Sequence, residues 1–258
     1  MSERGSIHDA TRRFSDRVEN YIRYRPAYPD GVVGLLEREV GLRPGWVVAD
    51  VGSGTGISAA MLVNAGCIVY GIEPNREMRM AAESILRKQG NVFRSLEGRA
   101  EATTLPDSCV DLVVAAQAFH WFDAAAARRE FTRILRPGGW VVLIWNERKL
   151  DTTPFLQAYE DLLLAFATDY RQVRHENVTD EKLAEFFTAG EWSAHSLPNA
   201  QEFDYQGLAG RLLSSSYAPS KGQPNHEVMM KGLRGIFGEN AVDGKVRFEY
   251  DTRVYIGR

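Results

Sequence analysis

Midway along the chain, Gln117, Phe119, His120 and Trp121 place an amide, a phenyl ring, an imidazole and an indole within five positions, just after the apolar run 113–116. An imidazole takes or gives a proton near neutral pH, and an amide and an indole N–H orient a ligand. Packed core is the rival reading for Phe119 and Trp121, and a satisfied structural imidazole the rival for His120. A second group lies in "ADVGSGTGIS", residues 49–58, where Gly52, Gly54 and Gly56 flank Ser53 and Thr55. Absent side chains let such a loop turn sharply and approach a ligand, while the free amides opening the next helix point at it. A dinucleotide loop would need glycine where this chain has Ile57. Asp50, two residues ahead of the loop, is placed to accept hydrogen bonds from a ligand ammonium or through water. Glu73 stands about twenty residues downstream, the spacing at which an acid grips ribose hydroxyls.

Two further clusters carry polar chemistry. In "YIRYRPAYPDG", residues 21–31, Pro26 and Pro29 hold Tyr24, Arg25 and Tyr28 on an extended segment. In "GRLLSSSYAP", residues 210–219, Arg211 precedes three serines and Tyr217. Arg25 or Arg211 would suit bidentate pairing with a carboxylate. A solvated linker explains the first cluster and a helix end running into a loop the second nearly as well.

The elements that must position these groups are legible up to about residue 150. Short Val/Ile-rich runs at 46–52, 67–73, 91–98, 109–117 and 139–147 alternate with helical stretches at 57–65, 75–89 and 124–135. That alternation predicts βαβ crossovers and an open, doubly wound, mostly parallel α/β sheet, which binds ligands beyond the C-terminal ends of its strands. Beyond 150 come helical segments at 154–170 and 179–187, a weak strand near 192–205, further helix, and a period-two run at 244–258 that suits an antiparallel strand. The expected organisation is a lid segment and first helix over 1–34, a Rossmann-like core over 35–147, and a helical cap plus the last strands of the same sheet over 148–258.

Bulk properties narrow the partners. The 258 residues suffice for a sizeable core, and 31 basic against 34 acidic residues leave a net charge of -3, with no electrostatic surplus for nucleic acid or an anionic membrane. No signal-like or membrane-spanning apolar run is present, so a cytoplasmic monomer or homodimer with no membrane partner is expected. Cys67 and Cys109 lack metal-site spacing and read as buried reduced thiols; no metal is expected.

Taken in order, "VADVGSGTG", "GIEPNREM", "GRAEATTLP", "DLVVAAQAFHWFD" and "RILRPGGWVVLIWN" resemble the successive motifs of class I S-adenosylmethionine-dependent methyltransferases, over about residues 20–147. Within that superfamily the chain resembles the small-molecule branch that includes trans-aconitate methyltransferase-like proteins. The resemblance implies a seven-stranded Rossmann-like methyltransferase fold, with Gly52, Ser53, Gly54 and Gly56 under the methionine part of S-adenosylmethionine and Glu73 on the ribose hydroxyls. It also implies Pro74 and Met78 against adenine and the Ala100 amide on its ring. Arg99 occupies the position of an Asp that reads the adenine amine and cannot accept that bond; Glu101 is the substitute. Gln117 to Trp121 should lie beside the sulfonium, and Tyr21, Tyr24 and Arg25 should close the pocket.

The implied reaction is methyl transfer to a small-molecule acceptor, with O-methylation of a carboxylate or hydroxyl favoured. A carboxylate needs no base, whereas a hydroxyl or amine is helped by a proton acceptor, for which His120 is placed. Tyr28, Trp121, Arg211 and Tyr217 are the expected substrate contacts. A nicotinamide-dependent oxidoreductase and a non-catalytic S-adenosylmethionine-binding protein are the alternatives.

Overall fold

The computed structural model describes residues 18–87, 92–168, 170, 180–187 and 192–258. Seven strands form one sheet: Val47–Val51 (β1), Ile68–Ile72 (β2), Phe93–Leu96 (β3), Val110–Ala116 (β4), Leu135–Arg148 (β5), Trp192–Phe203 (β6) and Val246–Gly257 (β7). Their order is β3-β2-β1-β4-β5-β7-β6. The first five pair in parallel, and β7 lies between β5 and β6, antiparallel to both. The antiparallel C-terminal strand expected from the period-two run is therefore interior, with β6 outside it.

The helices are Val18–Tyr24 (α1), Gly31–Val40 (α2), Ile57–Asn64 (α3), Arg76–Leu86 (α4), Ala124–Ile134 (α5), Pro154–Phe166 (α6), Asp180–Phe186 (α7), Tyr205–Leu213 (α8) and His226–Asn240 (α9). Asn75, Asp123, Thr153 and Asp204 each accept a bond from the backbone amide three residues on, which sets where α4, α5, α6 and α8 begin. Because successive strand side chains point to opposite faces, Val48, Leu112, Val114, Val142 and Ile144 pack with α2 and α3, whereas Ala49, Val51, Val113, Ala115, Val141 and Leu143 pack with α5. Both faces are covered, which is why these strands read as unbroken apolar runs.

Three local expectations shift. Helix α5 ends at Ile134, and Leu135 is already extended and paired with Val110, so β5 starts four residues before the expected 139. Pro137 cannot continue a helix, which explains the early exit. Helix α4 closes by Leu86, and the expected extension to Gln89 runs outside the described residues. Helix α7, expected in the cap, instead sends Leu183 and Phe186, with Phe187 just after it, into the cluster formed by Phe131 of α5 and Tyr255 of β7.

The cap core contains Phe155, Tyr159, Leu208, Leu212 and Leu233 from α6, α8 and α9, and also Phe248 and Tyr250 from β7. One strand thus belongs to the sheet and to the cap core, seating the cap over the strand ends. The N-terminal segment is strapped to both: Asn146 Nδ2 and Asn199 Nδ2 donate to the Ala27 carbonyl at 3.3 and 2.8 Å, and Gln201 Nε2 donates to that of Tyr24 at 3.3 Å. Tyr24 lies over Gly210 so closely that a Cβ there would come within 2.0 Å of the ring. Gly210→Ala should therefore unseat Tyr24 and cost about 1–3 kcal/mol. An unchanged denaturant midpoint would show that α1 is not seated on α8.

Candidate functional site

The connections from β1 lead through β2 to β3 on one side, and β4 and β5 lie on the other, leaving a crevice beyond the strand ends. The glycine loop lines it. Gly52, Gly54 and Gly56 have φ of 71°, 54° and 87°, the left-handed region that side-chain-bearing residues avoid. A Cβ on Gly52 would also sit 2.5 Å from that of Ala118, so the loop lies directly against the turn that follows β4. Gly52 and Ser53 donate to the Ile72 carbonyl at 2.8 and 3.2 Å. Glu73 completes the tie: Oε2 accepts from the Gly54 amide at 3.0 Å and Oε1 from the Asn75 amide at 2.8 Å. Burial raises the Glu73 pKa against the lowering by these two amides and Arg79, and burial prevails.

At the end of β4, Gln117 adopts a positive φ of 57° while its amide donates to the Ile144 carbonyl at 2.8 Å. A non-glycine residue there costs about 1 kcal/mol or more, a strain that marks functional turns. It turns the chain into the short 3-10 helix Phe119–Trp121. The helix divides the aromatic cluster: Phe119 goes inward, its ring 4.6 Å from Phe186 and 6.2 Å from Trp145, while His120 and Trp121 face the crevice.

Two adjoining cavities of about 150 Å³ each open there, sharing Tyr21, Gly52, Gly54, Gln117 and Trp121. One is lined by Glu73, Pro74, Met78, Arg99, Ala100 and Glu101. The other reaches up to the cap, past Ser53, Arg25, Tyr28 and His120, to Arg148, Arg211, Tyr217 and Tyr250. Arg25 Nη2 donates to the Ser214 carbonyl at 3.1 Å, and Arg211 Nη1 to Ser215 Oγ at 3.2 Å. Arg148 pairs with Glu160 and donates to Tyr170 Oη at 3.1 Å. Arg25 Nε, Arg148 Nη1 and Arg211 Nε are buried without a hydrogen-bond partner among the described residues.

Four expected site residues stand off the cavity walls. Tyr24 packs on α8 and Phe203; Phe119 is core; Gly56 backs onto Ala82 and Leu86; and Asp50 lies fully buried beneath the loop. Asp50 Oδ2 accepts from Ser58 Oγ at 2.7 Å, Oδ1 has no partner among the described residues, and burial pushes its carboxyl up to about 7. Glu101 and Arg99 both reach the wall, and Glu101 Oε1 also accepts from the Asp123 amide at 2.9 Å. Sequence reasoning missed Asn146, Arg148 and Tyr250. The signal for Asn146 and Arg148 was period two at the end of β5, which places both on one face; Tyr250 is the β7 register partner of Arg148.

The cavity holding Glu73, Pro74, Met78 and Ala100 fits an adenosine. Buried Ser53 Oγ and Thr55 Oγ1, unpartnered among the described residues and on the other wall of the same loop, fit the polar end of an amino acid. Residues 49–143 match the family model described as a methyltransferase domain. The chain is similar to an uncharacterized methyltransferase of Mycobacterium tuberculosis, 38% identical over 143 residues, 55% of this chain and 56% of that one. It is also similar to an uncharacterized methyltransferase-like protein of Schizosaccharomyces pombe, 31% identical over 157 residues, 60% of this chain and 59% of that one. The chain thus spans little more than half the length of these relatives. The fold is shared with a solved structure described as a candidate type II methyltransferase of Anaeromyxobacter dehalogenans, at 22% identity and a TM-score of 0.69, covering 91% of this chain and 98% of that one. Among the described residues, no helix is long and apolar enough to cross a membrane.

Proposed function

We propose that the chain transfers a methyl group from S-adenosylmethionine to a small-molecule acceptor held between the turn after β4 and the cap. The observation that carries this reading is the pair of adjoining cavities that meet at Gly52, Gly54 and Gln117. S-adenosylmethionine, when bound, supplies an electrophilic methyl carbon on a sulfonium. Glu73 and the loop amides would hold its nucleoside and amino-acid parts, with Met78 and Pro74 against the base.

The chain's own task is placement and exclusion of water, which is worth up to about 7–11 kcal/mol in a well-oriented transfer. Tyr21, Arg25 and Tyr28 wall the cavity from the N-terminal side. The nitrogens of Arg25, Arg148 and Arg211 that lack a partner among the described residues suit an acceptor with an anionic group, and three guanidiniums with one carboxylate bonded to them among the described residues, that of Glu160, support O-methylation of a carboxylate or hydroxyl. The finer likeness, to the trans-aconitate methyltransferase-like branch, is part of the same proposal, as is a freely diffusing acceptor rather than nucleic acid or lipid. His120, beside Gln117 and Trp121, would orient a carboxylate or take the proton of a hydroxyl.

Titration calorimetry with S-adenosylmethionine tests the cofactor half, and absence of binding would sink the reading. Labelled methyl transfer to a panel of small acids and alcohols tests the other half and separates an enzyme from a mere binder. His120→Ala should lower turnover about a hundredfold with cofactor affinity and melting temperature unchanged. A collapse of the melting temperature would instead make His120 structural.

A further inference from the structure

We propose that Tyr217 is a further catalytic residue: its phenolic oxygen, walled in with the guanidiniums of Arg25, Arg148 and Arg211, takes the proton from a hydroxyl acceptor. The inference rests on the methyltransferase reading, narrows its acceptor to a hydroxyl compound and assigns that proton to Tyr217, leaving His120 to orient the acceptor oxygen.

The geometry is a cation cluster with too few anions. Tyr217 lines the cap-side cavity together with Arg25, Arg148 and Arg211, three guanidiniums from the N-terminal segment, β5 and α8. Arg211 is 7% exposed, and the Arg148 side chain 9%. Among the described residues one carboxylate bonds into the cluster, that of Glu160, and it is engaged by Arg148 and by Tyr170 Oη at 2.7 Å. Each guanidinium keeps a buried nitrogen with no partner among the described residues. Desolvated cations demand a counter-charge, and among the described residues the ionisable groups facing them besides Glu160 are phenols: Tyr21 from α1, Tyr28, Tyr159 from α6, Tyr170, Tyr217 and Tyr250 from β7.

Those phenols do not respond alike. Burial raises Tyr28, Tyr159 and Tyr170. Burial also acts to raise Tyr217, but Arg211, Arg25, a bond from Ser215 and Arg148 outweigh it and bring it below the ordinary phenol value. Tyr217 is held in place by its ring, 4.8 Å from that of Tyr170, and by its carbonyl, which accepts from the Thr168 amide at 3.0 Å.

The step balances. The acceptor's O–H bond breaks with the proton passing to Tyr217 Oη, and the pair left on the acceptor oxygen forms the bond to the methyl carbon. The methyl carbon's former bond to the sulfonium sulfur breaks with its pair kept on sulfur. Tyr217, now neutral, loses the proton to water once product has left.

The first test needs neither cofactor nor acceptor. Phenolate absorbance of the whole chain, followed from neutral to alkaline pH, should show an early single-tyrosine step that is missing in Tyr217→Phe and moved upward in Arg211→Gln, which keeps the phenol. Absence of that step, or its persistence in Tyr217→Phe, overturns the proposal. The second test compares methyl transfer to para-hydroxybenzoate with transfer to benzoate, which lacks the hydroxyl. Tyr217→Phe should lower hydroxyl methylation about a hundredfold and flatten the acid limb of its kcat/KM profile, and the parent chain should leave benzoate unmethylated. Equal hydroxyl methylation by Tyr217→Phe and the parent chain overturns the base role. If the parent chain methylates neither probe, the acceptor reading fails, and the absorbance step by itself decides whether Tyr217 is the cluster's anion.

Discussion

Glu73→Ala should weaken S-adenosylmethionine binding by about two to four orders of magnitude, since a hydrogen bond to a buried charge contributes about 1.5–3 kcal/mol and a diol would make two. The carboxylate also anchors the site before any ligand arrives, accepting from the amides of Gly54 and Asn75. Each oxygen accepts one such bond and keeps a lone pair for a ligand hydroxyl. Glu73→Gln separates the two jobs: it keeps one acceptor oxygen for the backbone but presents an amide N–H to the other amide. Calorimetry should therefore show Glu73→Gln binding nearly as poorly as Glu73→Ala. Affinity within threefold of the parent chain for either variant would remove Glu73 from the cofactor site.

The second large effect concerns stability and pH. Asp50 is buried, accepts from Ser58 Oγ, and its pKa stands at about 7 in the fold, against an ordinary value of 3.8, chiefly because burial penalises the charged form. The folded state therefore holds this proton more tightly than the unfolded chain. The resulting stability is fully present below about pH 4, is lost as pH rises towards 7, and stays lost above it. A shift of that size corresponds to about 4 kcal/mol at 1.36 kcal/mol per unit. Asp50→Asn keeps an acceptor for Ser58 and carries no charge, so urea unfolding at pH 8 should show the variant more stable by up to about 4 kcal/mol, and at pH 4 nearly equal to the parent. Equal stability at both pH values would mean that the carboxylate finds compensation in the fold. A ligand ammonium near the loop would favour the ionised form, so cofactor binding near neutral pH should release a proton, seen as a calorimetric heat that depends on the buffer.

Legibility in the sequence differs from residue to residue. The loop at Gly52 to Gly56 and the acid at Glu73 were legible because their chemistry is local: a tight turn needs glycine, and a strand end fixes where the next side chain points. The five parallel strands were legible for a similar reason, since apolar runs bounded by Gly, Pro and Asn have few other folded outcomes. The cluster at 117–121 was legible as a site but not in its parts. Only the strained Gln117 and the 3-10 turn after it decided that Phe119 goes to the core and His120 and Trp121 to the crevice. In the N-terminal segment, Tyr21 and Arg25 reach the cavity while Tyr24 packs on α8. Residues four apart share a helical face, so this split could have been read from spacing.

What the sequence by itself determined is the cavity beside the glycine loop, because most of its lining lies within a few residues of a strand end whose direction the parallel sheet sets. Only the tertiary structure decided the cap-side cavity. Arg25, Arg148, Arg211, Tyr217 and Tyr250 come from five segments up to 225 positions apart, and the insertion of β7 between β5 and β6 brings them to one cavity. No local pattern encodes that meeting, because antiparallel pairing and cap packing are settled by non-local burial rather than by the residues' own neighbours in the chain.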